Sequence, residues 1–233
     1  MINEKIAVII PAAGAGTRMG GNIPKQFIEL NGEPILKRTI AVLQNVDIID
    51  EIAVAVPKGY TNTVNNYGFS KVHHIIEGGK DRASSVHLAL KSLSSNADTD
   101  IVLIHDGVRP FVTTQLVYDI IEAVKNHQAA IACTPVTDTL KKVNSGVIDK
   151  TLDRSQLWLA QTPQGFTYSL ISAAYELAEE NGTLRYVTDD SALIEQQGYP
   201  VQIVPSSLKN IKITTAEDLA IGKIFLEAMS CEK

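Results

Sequence analysis

The sequence predicts an α/β domain with a mainly parallel sheet flanked by helices. Three observations carry this. Short apolar runs at Ile6–Ile10, Ile52–Val56 and Ile101–Ile104 read as strands buried on both faces. Segments of helical period separate them, so strand and helix alternate along the chain. No repeat, low-complexity stretch or linker interrupts residues 1–233, which read as one domain.

The remaining elements follow in order. Leu36, Ile40 and Leu43 line one helical face behind Pro34, a residue suited to a first turn. Val72–Ile76 and Ala130–Val136 extend the sheet. Val86, Ala89, Leu90 and Leu93 form a helix behind Asp81, and Val117, Ile120, Ile121 and Val124 form another. Thr139–Val143 and Val147–Leu152 flank the turn signal Asn144-Ser145-Gly146 and predict a β-hairpin. Residues 136–160 therefore read as a protruding β-arm, and an exposed arm calls for a partner such as a second subunit. A helix through Leu170, Ala173, Ala174 and Leu177 stops at Asn181-Gly182. Val201–Val204 and Asn210–Thr214 read as short strands. Thr214-x-x-Glu217 is a capping-box pattern before a last helix that runs to about Met229.

Composition narrows the function classes. Apolar residues are 45 % and charged residues 20 %, which excludes disorder as the main state. A formal charge of −5 excludes a general polyanion coat, so positive charge for an anionic ligand must be local. Cys133 and Cys231 are too few for a disulfide scaffold, and a cytoplasmic chain is the simpler expectation. The apolar run Ile6–Ile10 is too short for a signal-peptide core or a membrane span.

The chemistry begins where the first strand meets Pro11-Ala12-Ala13-Gly14-Ala15-Gly16-Thr17-Arg18-Met19-Gly20-Gly21. Small side chains leave backbone N–H groups bare, and such a loop at a strand's carboxyl end can wrap phosphates. The Walker pattern is absent, and the dinucleotide fingerprint fails because Met19 stands at its third glycine. Gly14-x-Gly16 alone also fits a plain tight turn. Arg18 inside the loop and Lys25 just after it add a fork of donors and a point cation suited to a triphosphate.

Further motifs stand downstream: Gly78-Gly79 with Arg82 and Ser85, His105-Asp106-Gly107-Val108-Arg109-Pro110, Asp153-Arg154 through Leu157-Trp158, Gln161-Thr162-Pro163-Gln164, Thr188-Asp189-Asp190 and Asn210-Ile211-Lys212-Ile213-Thr214. Together with Pro11-Ala-Ala-Gly-x-Gly-x-Arg-Met-Gly and Pro24-Lys-Gln-Phe, they make the chain resemble the 2-C-methyl-D-erythritol 4-phosphate cytidylyltransferases over almost its whole length. The resemblance implies a Rossmann-like twisted sheet of the nucleotide-diphosphate-sugar transferase fold. It implies transfer of a cytidylyl group from CTP to 2-C-methyl-D-erythritol 4-phosphate with release of pyrophosphate, on the non-mevalonate route to isoprenoid precursors. The related use of ribitol 5-phosphate and a non-catalytic nucleotide-binding module are the alternatives.

Such a reaction needs no general base, because a phosphate monoester is mostly dianionic near neutral pH. Its difficulty is repulsion between two anions, so catalysis should rest on positioning and cations. The resemblance implies that Arg18, Lys25, Arg154 and Lys212 are catalytic. It implies that Pro11, Ala12, Ala13, Gly14, Gly16, Gly78, Gly79, Ser85, Asp106 and Gly107 hold CTP. It places Arg109, Thr139, Arg154, Thr162 and Lys212 on the methylerythritol phosphate, and makes the enzyme a homodimer through its arm. Asp106 beside a triphosphate calls for Mg²⁺ between them, held directly or through water. No nucleic acid or membrane partner is expected. Lys80, Thr137 and Val108 depart from the family's usual residues. His73-His74 carries no metal expectation, and Cys133 reads as core. His105 should position the loop that follows it. Asp189-Asp190 reads as a helix N-cap outside the site.

Overall fold

Strand β1 (Lys5–Pro11) is buried from Ile6 to Ile10, as its unbroken apolar run requires. Such a strand needs neighbours on both edges and a layer on each face. It pairs in parallel with β4 (Glu51–Val56) on one edge and β6 (Thr99–Ile104) on the other. In the computed structural model, which describes residues 4–14, 23–94 and 99–229 in full and 230–231 as backbone, these strands lie inside a seven-stranded sheet. Between β1 and β4 come the short strands β2 (Glu29–Leu30) and β3 (Glu33–Pro34) and helix α1 (Ile35–Gln44).

The chain continues through α2 (Thr61–Asn65), β5 (Val72–Glu77) and α3 (Arg82–Leu93) before β6. Helix α4 (Thr114–His127) and β7 (Ala129–Pro135) follow. The ribbon β8 (Lys141–Asn144) and β9 (Val147–Thr151) precedes β10 (Trp158–Thr167), α5 (Tyr168–Glu180), α6 (Ser191–Gln196), β11 (Gln202–Pro205) and α7 (Ala216–Cys231). The sheet order is β11-β7-β10-β6-β1-β4-β5, with β10 alone antiparallel to its neighbours.

Alternation along β1 divides the core. Ile6, Val8 and Ile10 face a cluster with Leu36, Ile40 and Leu43 of α1 and Val117, Ile120, Ile121 and Val124 of α4. Ala7 and Ile9 face the other layer, with Val86, Leu90 and Leu93 of α3, and Ile171 and Tyr175 of α5. A third cluster joins Leu30, Ile35, Val108, Phe111 and Ile213 to Leu219, Phe225 and Leu226 of α7.

Three expectations need correction. Strand β10 had no counterpart in the sequence reading, because Gln161, Thr162, Pro163, Gln164 and Gly165 lack any apolar pattern. It lies between β6 and β7, with a register shift between Ala160 and Gln164 around a cis Thr162–Pro163 bond. Irregularity of this kind lets proline sit inside a sheet. Asn210–Thr214 is not a strand; its contacts with the 105–109 loop include Ile213 N–H donating to the Val108 carbonyl (2.9 Å). The capping box falls one residue later than expected. Asp218 N–H donates to Thr215 Oγ1 (3.3 Å), and Asp218 Oδ2 accepts from the N–H groups of Thr215 (2.9 Å) and Thr214 (2.8 Å).

The hairpin forms where expected. Ser145 and Gly146 both have positive φ, as a two-residue turn in a twisted ribbon demands. Every residue of β8 and β9 is exposed, including Val143, Val147 and Ile148. Among the described residues, no helix is long and apolar enough to cross a membrane.

Candidate active site

Loops leaving the carboxyl ends of β1, β5 and β6 are tied to the neighbouring strands. Ala12 N–H donates to the Ala55 carbonyl (2.7 Å), Gly78 N–H to Val56 (2.8 Å) and His105 N–H to Ile9 (2.9 Å). A cleft of about 250 Å³ opens over these ends, the usual place for a ligand in an open α/β sheet. Its walls include Pro11, Ala13, Gly14, Lys25, Gly79, Lys80, Arg82, Ser85, Asp106 and Lys212.

The wall is close-packed. A Cβ on Gly78 would stand 2.2 Å from Ala13 Cβ and 2.8 Å from Ser85 Oγ. On Gly107 it would stand 3.0 Å from both Ala12 Cβ and Leu36 Cδ1. Small residues in the first loop and glycines in the other two are therefore one packing requirement. The Ser85 hydroxyl is committed to this wall: it donates to the Asp81 carbonyl (2.8 Å) and accepts from Gly79 N–H (3.1 Å). Asp81 caps α3 by accepting from Ser84 N–H (2.7 Å). Lys25 sits in a single 3₁₀ turn, Lys25–Phe27, behind Pro24. Buried Gln26 anchors that turn through an amide N–H donated to the Ala12 carbonyl.

Asp106 is the electrostatic centre. It is buried, and three cations converge on its carboxylate: Arg82 Nε on Oδ1 (3.0 Å), and Lys212 Nζ (2.9 Å) and Arg109 Nε (3.3 Å) on Oδ2. Burial alone would raise its pKa. The charges of Arg82, Lys212 and Arg109 outweigh that and hold it far below the usual carboxylate range. Arg109 also donates to the Asn210 carbonyl (2.7 Å), which ties the 105–109 loop to the segment carrying Lys212. Arg82 is gripped from behind by Asp190, through Nη1–Oδ1 (3.0 Å) and Nη2–Oδ2 (2.7 Å).

A chain of hydrogen bonds fixes the Asp106 backbone. Asp106 N–H donates to Thr162 Oγ1 (3.0 Å), whose hydroxyl faces His105 Nδ1 (3.1 Å), while His105 Nε2 lies 3.0 Å from the Arg109 carbonyl. Nε2 must donate to that carbonyl, so Nδ1 accepts from Thr162. Burial, the largest influence, lowers the His105 pKa to about 4, so the ring is neutral near pH 7. His105 thus braces its loop, as the sequence suggested.

The structure brings together Lys25, Lys212, Asp106, Gly79, Ser85 and the Pro11–Gly14 segment. Thr162 and Arg109 lie just behind that wall. Exposed Arg154 and Thr139, at the base of the ribbon, do not line the cleft; Arg154 instead donates to the Thr137 carbonyl. Arg18 and Gly16 lie outside the described residues. Asp190 is corrected from a helix cap to the anchor of Arg82. Asp189 approaches the capping role, accepting from Ala192 N–H (3.3 Å).

The family model for 2-C-methyl-D-erythritol 4-phosphate cytidylyltransferase matches residues 6–228. The chain belongs to the 2-C-methyl-D-erythritol 4-phosphate cytidylyltransferase family. Its activity is cytidylyl transfer to 2-C-methyl-D-erythritol 4-phosphate, in the route to isoprenoids. Curated family members of that name include one from Geotalea uraniireducens, 40 % identical and covering 98 % of this chain and 100 % of its own. Another, from Clostridioides difficile, is 44 % identical over 94 % and 93 %. The crystal structure of 4-diphosphocytidyl-2C-methyl-D-erythritol synthase from Anaerococcus prevotii superposes with a TM-score of 0.85 at 33 % identity, covering 97 % of each chain. The Francisella tularensis cytidylyltransferase gives 0.83 at 34 %, covering 95 % of this chain and 99 % of its own.

Sequence reasoning left Arg82, Gln26 and Asn210 out of the site. Arg82 was visible in the Gly-Gly-x-x-Arg motif, yet its two carboxylate partners are 24 and 108 residues away. Asn210 donates to the Gln161 side chain (3.0 Å) and to the Thr162 carbonyl (2.8 Å), contacts that depend on the unforeseen strand β10.

Proposed function

We propose that the cleft holds CTP while residues of the ribbon base hold the methylerythritol phosphate. The observation that carries this is the convergence of Arg82, Arg109 and Lys212 on Asp106, beside the Pro11–Gly14 loop and Lys25. The phosphate oxygen of the polyol attacks the α-phosphorus of CTP, and the bond to the bridging oxygen of pyrophosphate breaks. Lys25 faces charge building on the triphosphate side, the role that the family resemblance also gives Arg18. Lys212 sits between the two anions, held by Asp106 yet partly exposed to the cleft. The nucleoside packs against the side-chain-poor wall at Ala13, Gly14 and Gly79, which Ala12, Gly78 and Gly107 support from behind. Fixed donors aimed at developing charge are worth most in such a walled site.

A divalent cation fits as a companion of the triphosphate rather than as a resident of the protein. No group of three or more acidic, histidine or cysteine ligands occurs among the described residues. Asp106 Oδ1 accepts one hydrogen bond from Arg82 and keeps a lone pair for a metal ion or its water. Mg²⁺ there would neutralise phosphate charge and hold the triphosphate in line for attack.

We further propose a homodimer in which each ribbon supplies Arg154 and Thr139 to its partner's cleft. The exposed Val143, Val147 and Ile148 support this, because a lone two-stranded ribbon is marginal in water. The whole chain then works as one domain, with 136–160 as its arm. Cys133, buried and unpaired, supports a reducing compartment such as the cytoplasm.

The deciding experiment is pyrophosphate release from CTP with a panel of polyol phosphates, with and without Mg²⁺. Turnover with 2-C-methyl-D-erythritol 4-phosphate is expected. Exclusive use of ribitol 5-phosphate would overturn the acceptor assignment.

A further inference from the structure

Asp190 lies outside the cleft wall, yet it is completely buried and its carboxylate is fully engaged. It takes both terminal nitrogens of Arg82, at 3.0 and 2.7 Å, and the Tyr175 hydroxyl donates to its Oδ1 at 2.5 Å. Its N–H donates to Gln164 Oε1 at 3.0 Å, as does that of Ser191, so β10 fixes the start of α6. A bidentate grip of this kind fixes the guanidinium plane. The third nitrogen of the same guanidinium, Nε, then reaches Asp106 Oδ1 at 3.0 Å, and Asp106 Oδ2 holds Lys212 at 2.9 Å. Four charged groups alternate in sign from the buried core to the cleft: Asp190, Arg82, Asp106, Lys212.

We propose that Asp190 is a positioning residue for nucleotidyl transfer, acting through Arg82 and Asp106 to set the place of the Lys212 ammonium. The proposal rests on the reading of Lys212 as a cation of the reaction. Asp190 cannot act by its field alone, because a carboxylate near a triphosphate weakens anion binding. Its gain must come from geometry. Without it, Arg82 keeps only Asp106 as a partner among the described residues and is free to turn toward it with both ends, in competition with Lys212. Misplacing a reacting-site cation by about 1 Å costs on the order of a hundredfold in rate.

The test compares Asp190→Asn, Tyr175→Phe and Lys212→Gln, alone and combined, in pyrophosphate release at saturating CTP and methylerythritol phosphate. Rates are normalised to folded enzyme. Tyr175→Phe removes one donor to Asp190, changes no charge at neutral pH and keeps the core ring, so it serves if Asp190→Asn does not fold. Asp190→Asn is expected to lower kcat by about ten- to a hundredfold, and Tyr175→Phe by a few-fold, with little change in the KM for CTP. Both losses should vanish in the Lys212→Gln background, the non-additivity expected of groups that act in series. A lowered melting temperature with unchanged kcat per folded molecule, a tighter CTP KM alone, or losses that add to Lys212→Gln would each overturn the proposal. If Lys212→Gln itself turns over like wild type, the site reading fails and the positioning role fails with it. If only the Asp190 and Tyr175 variants are silent, the site reading stands without this role.

Discussion

Lys25 reaches the cleft from a turn whose backbone is anchored by Gln26, so its loss should leave the fold intact. Lys25→Ala is expected to raise the barrier to transfer by about 3 kcal/mol, a rate loss of roughly a hundredfold. Steady-state pyrophosphate release checks this, with an unchanged melting temperature as the control. His105 gives a pH prediction. Its pKa falls from 6.5 when unfolded to about 4 when folded, chiefly through burial, so the unfolded state binds the proton first. Its contribution to stability is therefore full above pH 6.5 and is lost as pH falls toward 4, by about 3 kcal/mol in all. Thermal melts across that range should show the slope, and His105→Gln should flatten it. At this scale the sequence showed the charges but not their partners. Lys25 was legible from its place just after the glycine loop, and Lys212 from the family resemblance of its motif. The Arg82–Asp190 pair was not, since the partners lie 108 residues apart and become neighbours through α5, which packs against both α3 and α6.

Elements whose faces are uniformly apolar were the readable ones. β1, β4 and β6 announce themselves by unbroken runs of Ile, Val, Ala and Leu, and α1 and α4 by one apolar stripe each. β10 stayed hidden because its central residues serve the site instead of the core. Gln161 accepts from Asn210, Thr162 from Asp106 and Gln164 from Asp190. The loops around the cleft are equally specific. Gly78→Ala would place a methyl 2.2 Å from Ala13 Cβ, so one of the two loops must move. We expect a stability loss of about 1–3 kcal/mol, read from urea unfolding, together with a weaker CTP KM. Ala13→Gly in the same chain should restore part of both, because it removes Ala13 Cβ but leaves Ser85 Oγ 2.8 Å from the new methyl.

For the molecule as a whole, the proposed homodimer would make assembly part of catalysis, since Arg154 does not line its own chain's cleft. Mixed dimers provide the check. Arg154→Ala and Lys25→Ala enzymes, each strongly impaired alone, should regain about a quarter of wild-type activity after exchange of subunits, since half the dimers then contain one intact site. No recovery despite proven exchange would place Arg154 in its own chain's reaction or in none. The exposed ribbon is also a site for proteolysis. It carries Lys141, Lys142 and Lys150 on backbone with no layer above it, while its two ends continue into β7 and β10, which are hydrogen-bonded to each other. Brief trypsin treatment of dilute enzyme should nick it there first, and the fragments should stay together, still binding nucleotide but unable to complete transfer.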